Sequence, residues 1–236
     1  MAWLERTEQL FGNEKIERLK NARVLIVGTG GVGAYAAEMI CRAGVGEMTL
    51  IDADEVSESN INRQLPALHS TIGHKKAEIL AQRFRDINPD LRLTVITEYI
   101  TPDNLEDLFT DGSYDFIVDA IDTIAPKVAL LVYALRHHLH IVSSMGAGAK
   151  ADITLIRQTD VWKTFHDGLA KSVRSGLTRA GLKGRRLPVV FCEQQADRNA
   201  LVSVENERNK KTTAGTVSYM PATFGCFLAA YVIEHL

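Results

Sequence analysis

The stretch that most constrains the fold is Arg23-Val-Leu-Ile-Val27 running into Gly28-Thr-Gly30-Gly31-Val-Gly33. A short unbroken apolar run reads as a strand buried on both faces, and such strands belong to parallel sheets covered by helices. The glycines let the backbone turn tightly and approach an anion. The helix predicted from Gly33 to Ala43 would offer its amino-terminal N–H groups to that anion. The same alternation fills the first 150 residues. Further strands are predicted at Glu47–Asp52, Leu91–Ile100, Phe116–Asp119 and His140–Ser143. Helices are predicted at Glu8–Lys20, His74–Ile87, Pro102–Phe109 and Ala125–His137.

This order implies an α/β chain with a Rossmann-like parallel sheet, whose ligands sit beyond the carboxyl ends of the strands. Past Lys150 the pattern loosens. Ile153–Arg157 and Pro188–Phe191 read as strands, with a basic helical stretch, Phe165–Leu182, between them. With no linker or repeat in sight, 1–236 is expected to be one domain, a nucleotide-binding half (1–150) and a carboxyl-terminal α/β elaboration (151–236).

Composition removes several classes. The chain is 46% apolar and 24% charged with a net charge of −2, which excludes disorder and a protein basic all over. Cys41, Cys192 and Cys226 lie far apart with no CxxC pair, so neither a disulfide framework nor a four-cysteine zinc site is expected. They read as packing thiols in a reducing cytosol. His137-His138-x-His140 has no carboxylate or cysteine beside it and is not read as a metal site. Thr212 to Ile233 holds no charge over 22 positions, close to a bilayer span in length, but Gly215, Pro221 and Gly225 interrupt it. It is read as a buried terminal helix or a subunit interface, and the chain as cytoplasmic.

The strand ends carry the chemistry. Asp52 closes the second strand, 24 residues after Gly28, where a carboxylate can accept from a ribose hydroxyl. That pair says adenine nucleotide, and a nicotinamide dehydrogenase would show the same. Asn60-Ile-Asn62-Arg63-Gln64 and Gly73-His-Lys75-Lys76 then add fixed cations above the same edge. A dinucleotide diphosphate is met mainly by the helix terminus, whereas a triphosphate broken at its α-phosphorus favours Arg and Lys clamps. Asp122, just past the fourth strand, suits Mg²⁺, which takes one or two carboxylates plus phosphate oxygens.

Gly28–Gly33, Asp52, Asn60-x-x-Arg63, Gly73-x-x-Lys76 and Asp122 resemble the adenylation site of the ubiquitin-activating-like superfamily, to which the HesA, MoeB and ThiF proteins belong. Arg6-Thr-Glu8-Gln-Leu-Phe-Gly12 resembles its amino-terminal arginine motif. Asp119-Ala-Ile-Asp122, Ser143-Ser-Met-Gly-Ala-Gly148, Asp160-x-x-Lys163-Thr164 with Asp167, and Met220-Pro-Ala-Thr-Phe-Gly225 are similar to the subgroup that dehydrates threonylcarbamoyladenosine in tRNA. The likeness runs nearly the whole chain. It departs at Phe191-Cys-Glu-Gln194, where the family often reads Phe-Ser-x-Glu.

The resemblance implies ATP-dependent activation of the threonyl carboxylate at position 37 of tRNA, followed by ring closure with net loss of water. It assigns catalysis to Arg6, Asn60, Arg63, Lys76 and Asp122, with Asp122 holding Mg²⁺. It assigns the nucleotide to Gly28, Gly30, Gly31, Gly33, Asp52, Asp54, Arg63, Gln64, Lys76 and Ile121. A monovalent cation is a further expectation without assigned ligands, and a homodimer is implied in which Arg6 serves the partner's site. Ring closure is intramolecular, so Cys192 is not required as a nucleophile.

Lys171, Arg174, Arg179, Lys183, Arg185 and Arg186 give +6 within 16 residues free of acids, a trace expected of a surface for tRNA rather than DNA. Three rivals stand beside this reading. Adenylation of a carrier protein's terminal glycine would require that carrier and ignore RNA, although the sulfur-carrier relatives usually hold the CxxC pairs missing here. An NAD-dependent oxidoreductase would leave Arg63 and Lys76 without a task. A non-catalytic relative would bind tRNA without consuming ATP.

Overall fold

The computed structural model describes residues 2–101, 103–109, 114–203 and 212–236. Seven strands form one sheet: β1 (Arg23–Val27), β2 (Glu47–Ile51), β3 (Arg92–Ile96), β4 (Phe116–Asp119), β5 (Ile141–Ser144), β6 (Ile156–Asp160) and β7 (Pro188–Cys192). Their order is β3-β2-β1-β4-β5-β7-β6, parallel throughout except for the antiparallel pair β6–β7. The second half of the chain thus extends the sheet begun by the first.

Apolar cores cover both faces. One joins Val24, Ile26, Met48, Leu50 and Val118 to α3 (Gly33–Arg42), α4 (Lys76–Ile87) and α7 (Tyr219–His235). The other joins Leu25, Val27, Ile117 and Val189 to α5 (Ile124–Arg136) and α6 (Gly168–Arg179). Alternate residues of β1 enter opposite cores, as a strand's alternation of side chains requires.

The expected helix over Glu8–Lys20 is two helices, α1 (Glu5–Phe11) and α2 (Asn13–Asn21). Gly12 breaks them with φ 81°, a left-handed conformation that glycine adopts without a Cβ clash. The helix expected over Pro102–Phe109 does not form in its described part, which has turns and a single 3-10 turn at Asp107–Phe109. The strand expected at Leu91–Ile100 ends at Ile96. The strand expected from Ile153 starts at Ile156, because Asp152 caps a 3-10 turn over Ile153–Leu155.

The uncharged carboxyl-terminal stretch divides into β9 (Thr212–Ala214), paired with β8 (Leu201–Ser203), and α7. Among the described residues, no helix is long and apolar enough to cross a membrane. α7 packs along α3 so closely that a Cβ on Gly225 would lie 2.5 Å from the Val32 carbonyl oxygen. Cys41 is buried, and desolvation pushes its thiol up to about 12. Cys192 is buried as expected, whereas Cys226 lies exposed on α7 rather than in the packing.

Candidate nucleotide site at the carboxyl edge of the sheet

The glycine loop leaves β1, inside the sheet between β2 and β4, and opens α3. Gly28 has φ 88°, and a Cβ there would meet the Ala120 carbonyl oxygen at 2.9 Å. A Cβ on Gly33 would lie 1.8 Å from the Gly28 carbonyl oxygen, so no side chain fits without moving the turn. Gly30 differs: beside it lies only the Gln64 side chain, 3.7 Å from where a Cβ would be. The loop is closed around its own backbone and open at Gly30, the arrangement that lets a ligand approach the main chain.

Asp52 stands at the end of β2 with one carboxylate oxygen on the Thr29 N–H (2.6 Å) and hydroxyl (2.9 Å), and the other on the Asp54 N–H (2.9 Å). These bonds fix the carboxylate beside the loop, and Oδ1, which accepts one bond, retains a further lone pair for a ribose hydroxyl. Lys76 begins α4 with its side chain almost wholly buried. Its Nζ donates to Asp54 Oδ2 at 2.9 Å, and the Tyr99 hydroxyl donates to Asp54 Oδ1 at 3.1 Å. Lys75 turns away to the Ala53 carbonyl (2.9 Å) and Glu55 (3.1 Å).

Asn60 is buried and caps its own turn, its Oδ1 accepting from the Ser57 N–H at 3.1 Å. Arg63 Nη1 donates to the Ser59 carbonyl (2.7 Å) and Asn62 Oδ1 (2.8 Å). The Arg63 and Gln64 amides both return to the Asn60 carbonyl, at 3.0 and 2.9 Å. Gln64 Oε1 is shut off from solvent without a hydrogen-bond partner. Buried polar atoms are nearly always satisfied, so this orphan, on a side chain whose Nε2 is the atom nearest Gly30, makes Gln64 a candidate ligand contact. The donors, the carboxylate and the open loop fit an adenine nucleotide with phosphates.

A buried cluster that sequence reasoning missed holds the third side. Lys127 and Asp119 are both 0% exposed, with Nζ 2.7 Å from Asp119 Oδ2. Lys127 also donates to the Ile121 carbonyl (2.9 Å), Asp119 Oδ1 accepts from the Ile121 N–H (3.0 Å), and Ser143 Oγ donates to Asp119 Oδ2 (2.6 Å). The segment Ala120–Asp122 is therefore pinned where it meets Gly28 and carries Asp122 outward. The signal was present, since Lys127 is the lone charge in Ile124–Leu135. Among the described residues no three or more His, Cys, Asp or Glu side chains gather as for a metal ion. The single carboxylate of Asp122 fits Mg²⁺ held largely by phosphate oxygens, as that cation prefers.

A second buried pair, Lys150–Asp167 at 3.0 Å, ties the ends of β5 and β7 to α6. Lys150 donates to the Gly146 and Cys192 carbonyls, and Asp167 caps α6 at the Ala170 N–H (2.9 Å). Gly146 and Asp167, two of the residues that carry the family likeness, are thus joined by Lys150.

Two groups of expected residues are not brought to this edge. Leu4 packs where Gly44 leads into β2, at the amino ends of the strands, and α1 buries none of its residues in this chain. Arg6 on α1 is exposed and has no hydrogen bond or ion pair among the described residues. The basic segment runs down α6 and also ends at the amino edge. Lys183, Arg185 and Arg186 are exposed in the loop entering β7, beside Leu187, whose carbonyl accepts from the Val161 N–H at 2.9 Å. Lys171 and Arg179 are exposed on α6. Arg174 turns inward instead, donating to the Val161 and Thr164 carbonyls and the Thr164 hydroxyl. The six cations are thus five outward charges and one internal clamp.

The ThiF family matches residues 4–236, and the chain belongs to that family. Within it, the chain is 42% identical to a tRNA threonylcarbamoyladenosine dehydratase of Escherichia coli over 75% of its own length and 66% of the relative's. It is 35% identical to the Bacillus subtilis dehydratase over 98% of its own length and 93% of the relative's. The crystal structure of the E. coli dehydratase in complex with ATP superposes with a TM-score of 0.88 at 34% identity, covering 99% of this chain and 94% of that one. The expected α/β fold and family are both borne out.

Proposed function

We propose that this protein is an ATP-dependent enzyme that cyclises threonylcarbamoyladenosine in tRNA with loss of water. The observation that carries the reading is the open glycine loop and its flanking Asp52, Arg63, Lys76 and Asp122, in a chain similar along its whole length to a dehydratase solved with ATP. A carboxylate is a poor electrophile. Its oxygen attacks the α-phosphorus of ATP, pyrophosphate leaves, and the mixed anhydride has AMP as leaving group. A nucleophilic atom of the same side chain then attacks the activated carbonyl, AMP departs, and no covalent bond to the enzyme is needed.

In this reading Asp52 and Asp54 hold the ribose side, Gly28, Gly30, Gly31, Gly33 and the Ile121 backbone cradle the nucleotide, and Gln64 contacts it through its orphaned oxygen. Arg63 and Lys76 steady the phosphates, Lys76 leaving Asp54 or sharing its three donors with it. Asn60 orients the attacking carboxylate. Asp122 would hold Mg²⁺, which when bound would neutralise part of the triphosphate charge. A two-fold homodimer in which a second copy supplies Arg6 is supported by the placement of α1 away from its own chain's site. The tRNA partner, met through Lys171, Arg179, Lys183, Arg185 and Arg186, is consistent with their exposure, and the cytoplasm is where tRNA and ATP meet.

Purified protein incubated with ATP, Mg²⁺ and tRNA carrying threonylcarbamoyladenosine tests this by nucleoside mass spectrometry. A loss of about 18 Da (one water, as intramolecular closure requires) is expected only with ATP and not with Asp122→Ala. Unchanged mass would sink the reading and leave carrier-protein adenylation, checked by pyrophosphate exchange.

A further inference from the structure

The described residues contain two buried side-chain polar atoms without a hydrogen-bond partner, Gln64 Oε1 and Thr216 Oγ1. Gln64 lies against the glycine loop. Thr216 belongs to a different part of the chain, the link between β9 and α7, and nothing in the nucleotide assignment uses it.

This link is clamped from both sides. The Thr216 carbonyl accepts from Asn62 Nδ2 at 3.2 Å, which joins it to the Asn60–Gln64 segment. One residue earlier, the Gly215 carbonyl accepts from the Ala149 N–H at 2.7 Å, and a Cβ on Gly148 would meet that of Ala214 at 2.6 Å. A few residues later, Pro221 abuts Gly31, whose added Cβ would lie 3.1 Å from it. The segment Ala214–Thr216 therefore spans from the Asn60–Gln64 segment to the loop that follows β5.

The direction of approach follows from the strand order. Asp52, the ribose-side carboxylate, marks the β2 side of β1, and β4 and β5 lie on the other. A carboxylate moving toward the α-phosphorus would arrive from the side the nucleotide leaves free, the β4–β5 side that the Ala214–Thr216 link borders. We propose that the Thr216 hydroxyl hydrogen-bonds the threonylcarbamoyl group of the substrate nucleotide and helps the site select it; this rests on the function proposed above. A hydroxyl kept unpaired in the free protein costs stability and returns it as selectivity, because a substrate lacking the matching polar group leaves it unsatisfied again.

Thr216→Val removes the hydroxyl at nearly constant shape, and Thr216→Ser keeps it. With Thr216→Val the KM for substrate tRNA should rise roughly tenfold while the KM for ATP stays put. The ligand-free thermal midpoint should hold or rise, since no bond is lost. Thr216→Ser should restore the tRNA KM. A lower midpoint with unchanged KM values would make the hydroxyl structural and overturn the proposal. A rise confined to the ATP KM would overturn it too, by giving Thr216 to the nucleotide. Wild-type protein that fails to cyclise tRNA removes the underlying function, whereas an active wild type with an indifferent valine variant removes this inference alone.

Discussion

The two ends of the one sheet are built on different principles. At the carboxyl edge polar groups are bonded internally: the buried pairs Asp119 with Lys127 and Lys150 with Asp167, and the half-buried Asp52 with buried Thr29. At the amino edge Lys183, Arg185 and Arg186 stand exposed in a loop whose Gly181 and Gly184 have positive φ with no heavy atom near their missing Cβ. Chemistry at phosphorus requires groups fixed before the substrate arrives, which packing and internal bonding of their supports provide. Contact with an RNA backbone requires charge at a surface, which tolerates looser placement.

The largest effect should come from splitting the buried pair. Lys127→Met strands Asp119 without its cation and should cost about 3–5 kcal/mol in denaturant unfolding, with much of the loss recovered by Asp119→Asn/Lys127→Met. If the single substitution is silent, the carboxyl edge is not held as described. Next, Arg63→Ala should reduce cyclisation about 10²–10³-fold, as removal of a transition-state donor does, with the unfolding midpoint unchanged. A loss of activity that tracks unfolding would blur the division between clamp and chemistry.

At the other edge, Arg185→Glu with Arg186→Glu should weaken tRNA binding and flatten its salt dependence by about two units of log–log slope, leaving the KM for ATP alone. Unchanged binding would move the RNA surface elsewhere. The smallest effect concerns Glu38, set between Arg83 (2.6 Å) and Arg42 (2.9 Å). Burial alone would raise its pKa, but the arginine hydrogen bonds outweigh that and hold it below the ordinary value of 4.5. A depressed folded pKa gives stability that is present above the unfolded value and lost as pH falls through the folded one. Glu38→Gln should therefore shallow the acid limb of unfolding below about pH 4.5 and do little at neutrality.

The central strands and the glycine loop were legible because a doubly buried strand leaves an unbroken apolar run and a tight phosphate turn leaves glycines. Asp52, Arg63 and Lys76 were legible as polar groups near the carboxyl ends of strands, which is where the fold places them. Lys150 was not, since a lysine between loop residues reads as solvated until a partner as distant in sequence as Asp167 is known to face it. Arg174 shows the converse: within a run of cations nothing in its identity told that its guanidinium would turn inward. Thr216 was missed for a similar reason, because an orphaned hydroxyl is defined by what surrounds it.

The seat that α7 takes against Gly31 and along α3 has a consequence for biosynthesis. The glycine loop leaves the ribosome early, yet Pro221 and Gly225, which brace it, are made almost a whole chain later. A nascent chain can pair β1 with β2 long before it owns a finished nucleotide cradle. The contacts of Pro221 and Gly225 can therefore form only after the whole intervening chain has been made, so the cradle is completed by long-range packing rather than by its own local sequence.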